Sequence, residues 1–270
     1  MSGVLQLSDL HLGRMPEHDA ERCAIVVKTA VSYAPDLIVV SGDLCDDAPC
    51  QPEQIAIGQA FVETLEAVAP TRVVPGNHDV GNKPGIEHDA LTRKRFDAWR
   101  QAFGDGWFRE DLDTYAVLGL NSQIAGSGWE EEEAQLRWLD DQLADCERAI
   151  VFMHMPLDVP ACVDAANERR DALAYWPVDP QPRAALTERL ASKKVQLLCT
   201  GHLHNDAALP SATPPRRWCP SLSFGVNIPG VTGTIAHGDV IGCLHHTLQP
   251  NDVGSVLISV QLPVSPTMTL

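Results

Sequence analysis

Short, wholly apolar runs that stop abruptly at polar corners set the limits on what this chain can fold into. Leu37-Ile38-Val39-Val40 gives way at once to Ser41-Gly42-Asp43-Leu44-Cys45-Asp46-Asp47, and Val73-Val74-Pro75, at the end of a strand expected over Thr71 to Val74, leads into Gly76-Asn77-His78-Asp79. Continuous β-branched runs of this length read as strands buried on both faces of a sheet. Between them the period changes. Helices are expected over Asp19 to Tyr33, Gln54 to Val68, Ala90 to Phe103, from Glu130 onward (with Leu136, Leu139 and Leu143 inward) and over Arg183 to Ser192. Strand alternating with helix is the signature of crossover units and a largely parallel sheet. Such sheets gather the loops at their strand carboxyl ends along one edge, where ligands bind.

Further strands are expected at Val4 to Ser8, running into Asp9-Leu10-His11, and at Thr114 to Leu120. Ala149 to Met153 is ended by His154-Met155-Pro156, and Val195 to Cys199 by Gly201-His202-Leu203-His204. Trp218 to Phe224, Asp239 to Leu248 and Ser255 to Leu262 read as antiparallel strands, the last two forming a hairpin about Gln249-Pro250-Asn251-Asp252. Asp158 to Pro182, with four prolines, suits a lid or a wall of a substrate pocket. The expectation is one mixed α/β domain over residues 1–270.

Charge narrows the partners. The net charge is −16 across 270 residues, and the one tight basic group is Arg93-Lys94-Arg95. A protein that tracks a nucleic-acid backbone carries a basic stripe, so extended nucleic acid is disfavoured and a small substrate favoured. The basic group reads first as a solvated helix face and second as a reach toward a substrate phosphate. No apolar run is long enough for a membrane span, and no leader precedes Val4. Eight scattered cysteines without a CxxC pair read as reduced thiols in a cytoplasmic protein. A homodimer is left open.

Five strand ends then carry Asp9 and His11, Asp43, Asn77 and His78, His154, and His202 and His204. Two divalent ions held about 3.5–4 Å apart need a bridging carboxylate with further N and O ligands on each side. Imidazole and carboxylate suit Zn, Mn or Fe. On an extended backbone His202 and His204 point oppositely and could serve different ions, while Asp9 and His11 reach one ion only through a turn. Spacing leaves both questions open.

In order, Asp9-Leu10-His11, Gly42-Asp43-Leu44-Cys45-Asp46, Gly76-Asn77-His78-Asp79, His154 and Gly201-His202-Leu203-His204 resemble the five motifs of the calcineurin-like metallophosphoesterases. The second and third motifs, with Gln135-Leu136-Arg137-Trp138-Leu139 before the fourth, look most like the cyclic-nucleotide phosphodiesterase and glycerophosphodiesterase branch. The resemblance implies a two-sheet β-sandwich flanked by helices, with C-terminal strands over 218–262 completing the second sheet. It implies one ion on Asp9, His11, Asp43 and His204, and a second on Asp43, Asn77, His154 and His202, with Asp43 bridging. The implied reaction is attack of a metal-bridging hydroxide on a small phosphodiester. His78 is then the candidate proton donor or transition-state stabiliser, Asp79 the residue that orients it, and Asp46 a support for the metal loop.

Two departures bear on the branch. Met155 follows the fourth-motif histidine where many relatives carry a second histidine, and no tyrosine stands beside the motifs as in purple acid phosphatases. Alternatives are a nuclease or nuclease subunit, since Ser8 to Arg14 also resembles the opening of repair nucleases, a phosphomonoesterase, and a non-catalytic metal-binding scaffold. His18, His88, His237, His245 and His246 lie outside the motifs.

Overall fold

Runs buried on both faces need cover on both sides, and the chain supplies it with two large sheets and two helical layers, beside a small parallel pair of strands over 225–227 and 267–269. The computed structural model describes residues 1–84, 86, 89–159, 175–227, 236–237, 240–250, 252–263 and 267–269. His88, Cys162, Asn251, the His237 side chain and residues 160–174 of the expected lid or wall lie outside the described residues. The chain begins β1 (Ser2–Leu7), α1 (Pro16–Tyr33), β2 (Leu37–Ser41), α2 (Gln54–Glu66), β3 (Thr71–Val74), the single turn α3 (Asn77–Val80), α4 (Arg93–Phe103), β4 (Phe108–Leu112) and β5 (Tyr115–Leu120). It continues α5 (Glu130–Asp145), β6 (Arg148–Met153), α6 (Pro180–Leu190), β7 (Val195–Thr200), β8 (Asp206–Leu209), β9 (Arg216–Trp218), β10 (Gly225–Asn227) and β11 (Ala236–His237). The hairpin β12 (Gly242–Gln249) and β13 (Asp252–Ser259), then β14 (Thr267–Thr269), close it.

Helix starts shift from expectation for local reasons. Pro16 opens α1 and Pro180 and Pro182 open α6, because a missing N–H costs nothing in a first turn. By contrast α4 waits until Arg93, where the Thr92 side chain accepts from the Arg95 N–H.

The first sheet has the order β13-β12-β1-β2-β3, with β1, β2 and β3 parallel. The second has the order β11-β8-β9-β7-β6-β5-β4, with β5, β6, β7 and β9 parallel. Alternation along each strand decides the layers. Val4, Leu37 and Val39 from the first sheet meet Val117, Ile150 and Phe152 from the second in a core between them. Leu5, Leu7, Ile38 and Val40 face outward, in one core with Val26 and Ala30 of α1, Phe61 and Leu65 of α2 and Trp99 of α4. Leu118 and Val151 share the opposite outer core with Leu139 of α5 and Leu186 of α6. This is the expected mixed α/β sandwich flanked by helices.

Two expectations need correction. The C-terminal strands do not all complete the second sheet: β12 pairs antiparallel with β1 in the first. There it covers the free edge that β1 would otherwise leave open, burying Leu244 and Leu248. Nor is Trp218 to Phe224 one strand. β9 ends at Trp218 and the chain, now carrying Pro220 with no N–H to donate, turns across the sheet edge.

A polar chain crosses the inter-sheet region. Gln6 Nε2 donates to Ser41 Oγ (2.8 Å), and Gln6 Oε1 accepts from His246 Nε2–H (3.0 Å). His246 Nδ1 lies 2.7 Å from the Ser255 hydroxyl, which can donate to the neutral imidazole. Burial pushes the His246 pKa down to about 3. The unfolded chain, with an ordinary histidine, therefore takes up a proton below about pH 6.5 that the folded chain refuses. Stability from this group is present above the unfolded value and falls as the pH drops, by roughly 2 kcal/mol at pH 5. Urea midpoints measured between pH 7.5 and 5 should fall less steeply for His246→Gln than for wild type; equal slopes would refute the assignment.

Candidate metal centre

Five strands of the two parallel sets deliver polar corners to the same edge. β1 runs out into Asp9 and His11, β2 into Asp43, β3 into Asn77, β6 into His154, and β7 into His202 and His204. The backbone turns left-handed at Asp9 (φ 53°), His11 (47°), Asp43 (50°), His202 (70°) and His204 (51°). Such conformations are uncommon for residues other than glycine, though Asp and His are among the more tolerant. They abolish the alternation of an extended chain. Asp9 and His11 thereby turn into one cluster, while His202 and His204 go to different ones. Backbone hydrogen bonds hold the corners side by side, from Asp9 N to Gly42 O and from His11 N to Asp43 O, both 3.0 Å. Two motif glycines are required by close approach. A Cβ on Gly42 would lie 2.3 Å from His154 Nδ1, and one on Gly76 2.1 Å from Asp43 Oδ1.

Two buried donor sets result, Asp9, His11, Asp43 and His204 in one and Asp43, His154 and His202 in the other. Asp43 Oδ2 lies 3.8 Å from His11 Nε2 and 3.2 Å from His154 Nε2. Asn77 joins the second set through Oδ1, 3.3 Å from His154 Nε2. The rings are aimed by their other nitrogens: His154 Nδ1–H donates to Ser41 O (2.9 Å) and His204 Nδ1–H to Phe224 O (2.8 Å). His11 Nδ1–H donates to Asp46 Oδ1 (3.1 Å). Each Nε2 is therefore the nitrogen turned toward the cluster. At His154 burial disfavours the charge, but Asp43 beside it raises the pKa to about 9, so a cation bound there takes the place of a proton.

The donor sets fit metal ions. His11 Nε2 faces His204 Nε2 at 3.2 Å, and His154 Nε2 faces His202 Nδ1 at 3.2 Å. The first pair carries its protons on Nδ1, and facing lone pairs of this kind are relieved by a cation between them. Asp9 Oδ1 is buried with no hydrogen-bond partner among the described residues, although His204 Nε2 lies 3.1 Å away. Burial pushes the His11 pKa down to about 4 and that of His202 well below the ordinary range, which favours the neutral, ligating form. Burial also disfavours the charge on Asp43, but His154 and His78 beside it hold its pKa well below the usual carboxylate value.

Asp79 behaves differently from expectation. Its carboxylate accepts from the backbone N–H of Gly76 (2.8 Å), Leu44 (3.2 Å) and Cys45 (2.9 Å). At the third position of a one-turn helix, the side chain reaches back to the cap and across to the neighbouring loop rather than along to His78. Burial, with Asp43 nearby, pushes its pKa up to about 7. The His78 ring is instead held through Nδ1 by the Asp46 carbonyl, and the His78 backbone N–H donates to Asp43 Oδ1 (2.9 Å). His78 is partly exposed while the donor residues around it are buried.

Sequence reasoning named none of the aromatic residues around the cluster, although Tyr175 and Trp176 lie in the stretch expected to form a lid or wall. Phe224 lies against His11 and His204, with ring centroids 4.9 and 4.5 Å away, and carries the Arg14 guanidinium at 4.3 Å. Tyr175 and Trp176 pack on His202 at 5.7 and 5.1 Å. Arg93 and Arg95 are committed elsewhere, Arg93 to Glu131 and the Trp129 face, Arg95 to the carbonyls of Pro49 and Ala90.

A calcineurin-like phosphoesterase family model matches residues 3–206, a stretch that contains both donor sets. The chain belongs to that family. The family uses a dinuclear metal centre. Among its members, the serine/threonine-protein phosphatase CPPED1 of Mus musculus is 30% identical over 184 residues, 64% of this chain and 54% of that protein. A probable cyclic nucleotide phosphodiesterase of Synechococcus sp. is 27% identical over 210 residues, 74% of this chain and 72% of that protein. The chain thus spans about half the length of the CPPED1 relatives it matches. In fold it is similar to a dimetal phosphatase from Danio rerio, with a TM-score of 0.60 over 96% of this chain and 99% of that one at 13% identity. Among the described residues, no helix is long and apolar enough to cross a membrane.

Proposed function

We propose that the chain is a dinuclear metal-dependent phosphodiesterase acting on small phosphodiesters of the cyclic-nucleotide or glycerophosphodiester type. One observation carries this reading: two buried donor sets share Asp43, and partly exposed His78 stands beside them. Asp9, His11, Asp43 and His204 would hold one ion, and Asp43, Asn77, His154 and His202 the other, with Mn, Fe or Zn suited to these N and O donors. When bound, the ions supply positive charge for the phosphoryl oxygens and lower the pKa of water toward neutrality.

The chain's own residues do the rest. Phe224, Tyr175 and Trp176 exclude bulk water from the ligand rings. His78, with Nδ1 held by the Asp46 carbonyl, gives a proton to the departing alkoxide or stabilises its charge. Asp79 keeps the 43–45 loop against the α3 turn. The net charge of −16 supports a small substrate over a polyanion. The seven free cysteines among the described residues support a cytoplasmic setting.

A second reading, a phosphomonoesterase, is favoured by the likeness to a protein named as a serine/threonine phosphatase. Protein loaded with Mn, Fe or Zn should cleave bis(p-nitrophenyl) phosphate faster than p-nitrophenyl phosphate. Cleavage of the monoester alone would move the assignment to the second reading, and metal-dependent cleavage of neither would sink both.

A further inference from the structure

We infer that Tyr175 is a positioning residue: its hydroxyl fixes which way the Asn77 side-chain amide faces, so that the second donor set presents an oxygen inward. The inference rests on the two-ion reading above.

Asn77 is a member of its donor set that can be turned the wrong way. A carboxylate offers oxygen on both sides, and the His154 and His204 rings are oriented by the carbonyls on their Nδ1 atoms. An amide offers oxygen on one side and NH2 on the other with nearly the same shape, and NH2 is a donor that cannot ligate a cation. Something must choose. Asn77 Oδ1 faces His154 Nε2 at 3.3 Å, and its Nδ2 faces Tyr175 Oη at 3.4 Å. Tyr175 Oη in turn donates to Asn82 Oδ1 (3.3 Å). A phenol has a single proton. Once that proton goes to Asn82, the oxygen can only accept, and it accepts from the Asn77 NH2. The chain runs in one direction and leaves Asn77 Oδ1 pointing at the cluster.

The hydroxyl is held where this requires it. Lys83 Nζ donates to Pro177 O (2.7 Å) and pairs with Asp179 Oδ1 (2.7 Å), and Val178 N–H donates to Pro156 O (2.8 Å). The neighbouring Trp176 is buried with Val159, Leu203 and Trp218. Asn82 is fixed through its backbone, from its N–H to Asp89 O and from Leu91 N–H to its carbonyl.

Calorimetric titration of the metal-free full chain with Mn2+ tests the assignment. Wild type should bind two ions. Tyr175→Phe should weaken one of them by about tenfold or more, the usual cost of losing a group that orients a ligand, and leave the other unchanged. Asn82→Ala, which takes away the acceptor of the phenol proton, should weaken the same ion. In an Asn77→Asp background, where either carboxylate oxygen can face inward, Tyr175→Phe should cost nothing further. A merely structural role for Tyr175 would give the same loss in both backgrounds, and that result overturns the inference. Unchanged affinity in Tyr175→Phe overturns it as well. Fewer than two ions on wild type is a separate outcome, visible without any variant; it sinks the two-ion reading and this inference with it.

Discussion

Asp43→Asn should strip both donor sets of tightly held metal and lower hydrolysis of bis(p-nitrophenyl) phosphate by roughly 10^4-fold or more. Each ion is worth several kcal/mol of transition-state charge stabilisation, and each 1.36 kcal/mol is a factor of ten. Asp43 is the residue common to the two sets, and among the described residues no other side chain stands between His11 and His154 in the same way. The amide would fail twice. It halves the oxygens on offer, and if its NH2 faces α3 it opposes the His78 N–H that now donates to Oδ1 at 2.9 Å. Metal content by mass spectrometry and turnover measured on the same preparation give the result. Two ions retained at wild-type affinity would remove Asp43 from the bridging position.

His78→Ala should keep both ions and lose turnover selectively. Its contribution to holding Asp43 comes from the backbone N–H, which alanine preserves. A positioned proton donor contributes about 10^2–10^4-fold where the leaving group needs a proton. The loss should therefore be large for alkyl phosphodiesters and small for nitrophenyl esters, whose leaving group departs unprotonated. Turnover plotted against leaving-group pKa should steepen in the variant. Equal losses across the series would argue against proton donation by His78.

Legibility in the sequence followed burial. Residues 37–40 and 149–153 were readable as strands because every position is apolar and buried, and 71–74 and 195–199 because only Thr71, Arg72 and Gln196 interrupt such runs. β4 was not, because Phe108-Arg109-Glu110-Asp111-Leu112 is half exposed and held in part by ion pairs from Arg72 to Glu110 and from Arg109 to Asp145. The sheet joined by the terminal hairpin depends on the free edge of β1, a partner more than two hundred residues away that no local pattern encodes. In the centre, donor residues stood out as polar groups ending apolar runs. Asp79 misled because adjacency in sequence is not adjacency of side chains in a helical turn. Tyr175 and Trp176 lie in a stretch without periodicity, where the available signal was two adjacent aromatics in a chain with three tyrosines.

The division of the ligands between the sheets has a mechanical consequence. Asp9, His11, Asp43 and Asn77 ride on the first sheet, and His154, His202 and His204 on the second. Ions held among them would rivet the seam of the sandwich, and metal affinity would then be a gauge of how closely the two sheets are docked. Repacking Val39 against Phe152 in the shared core, with no ligand altered, would be felt at the far end of the strands as a change in the gap the metals must span.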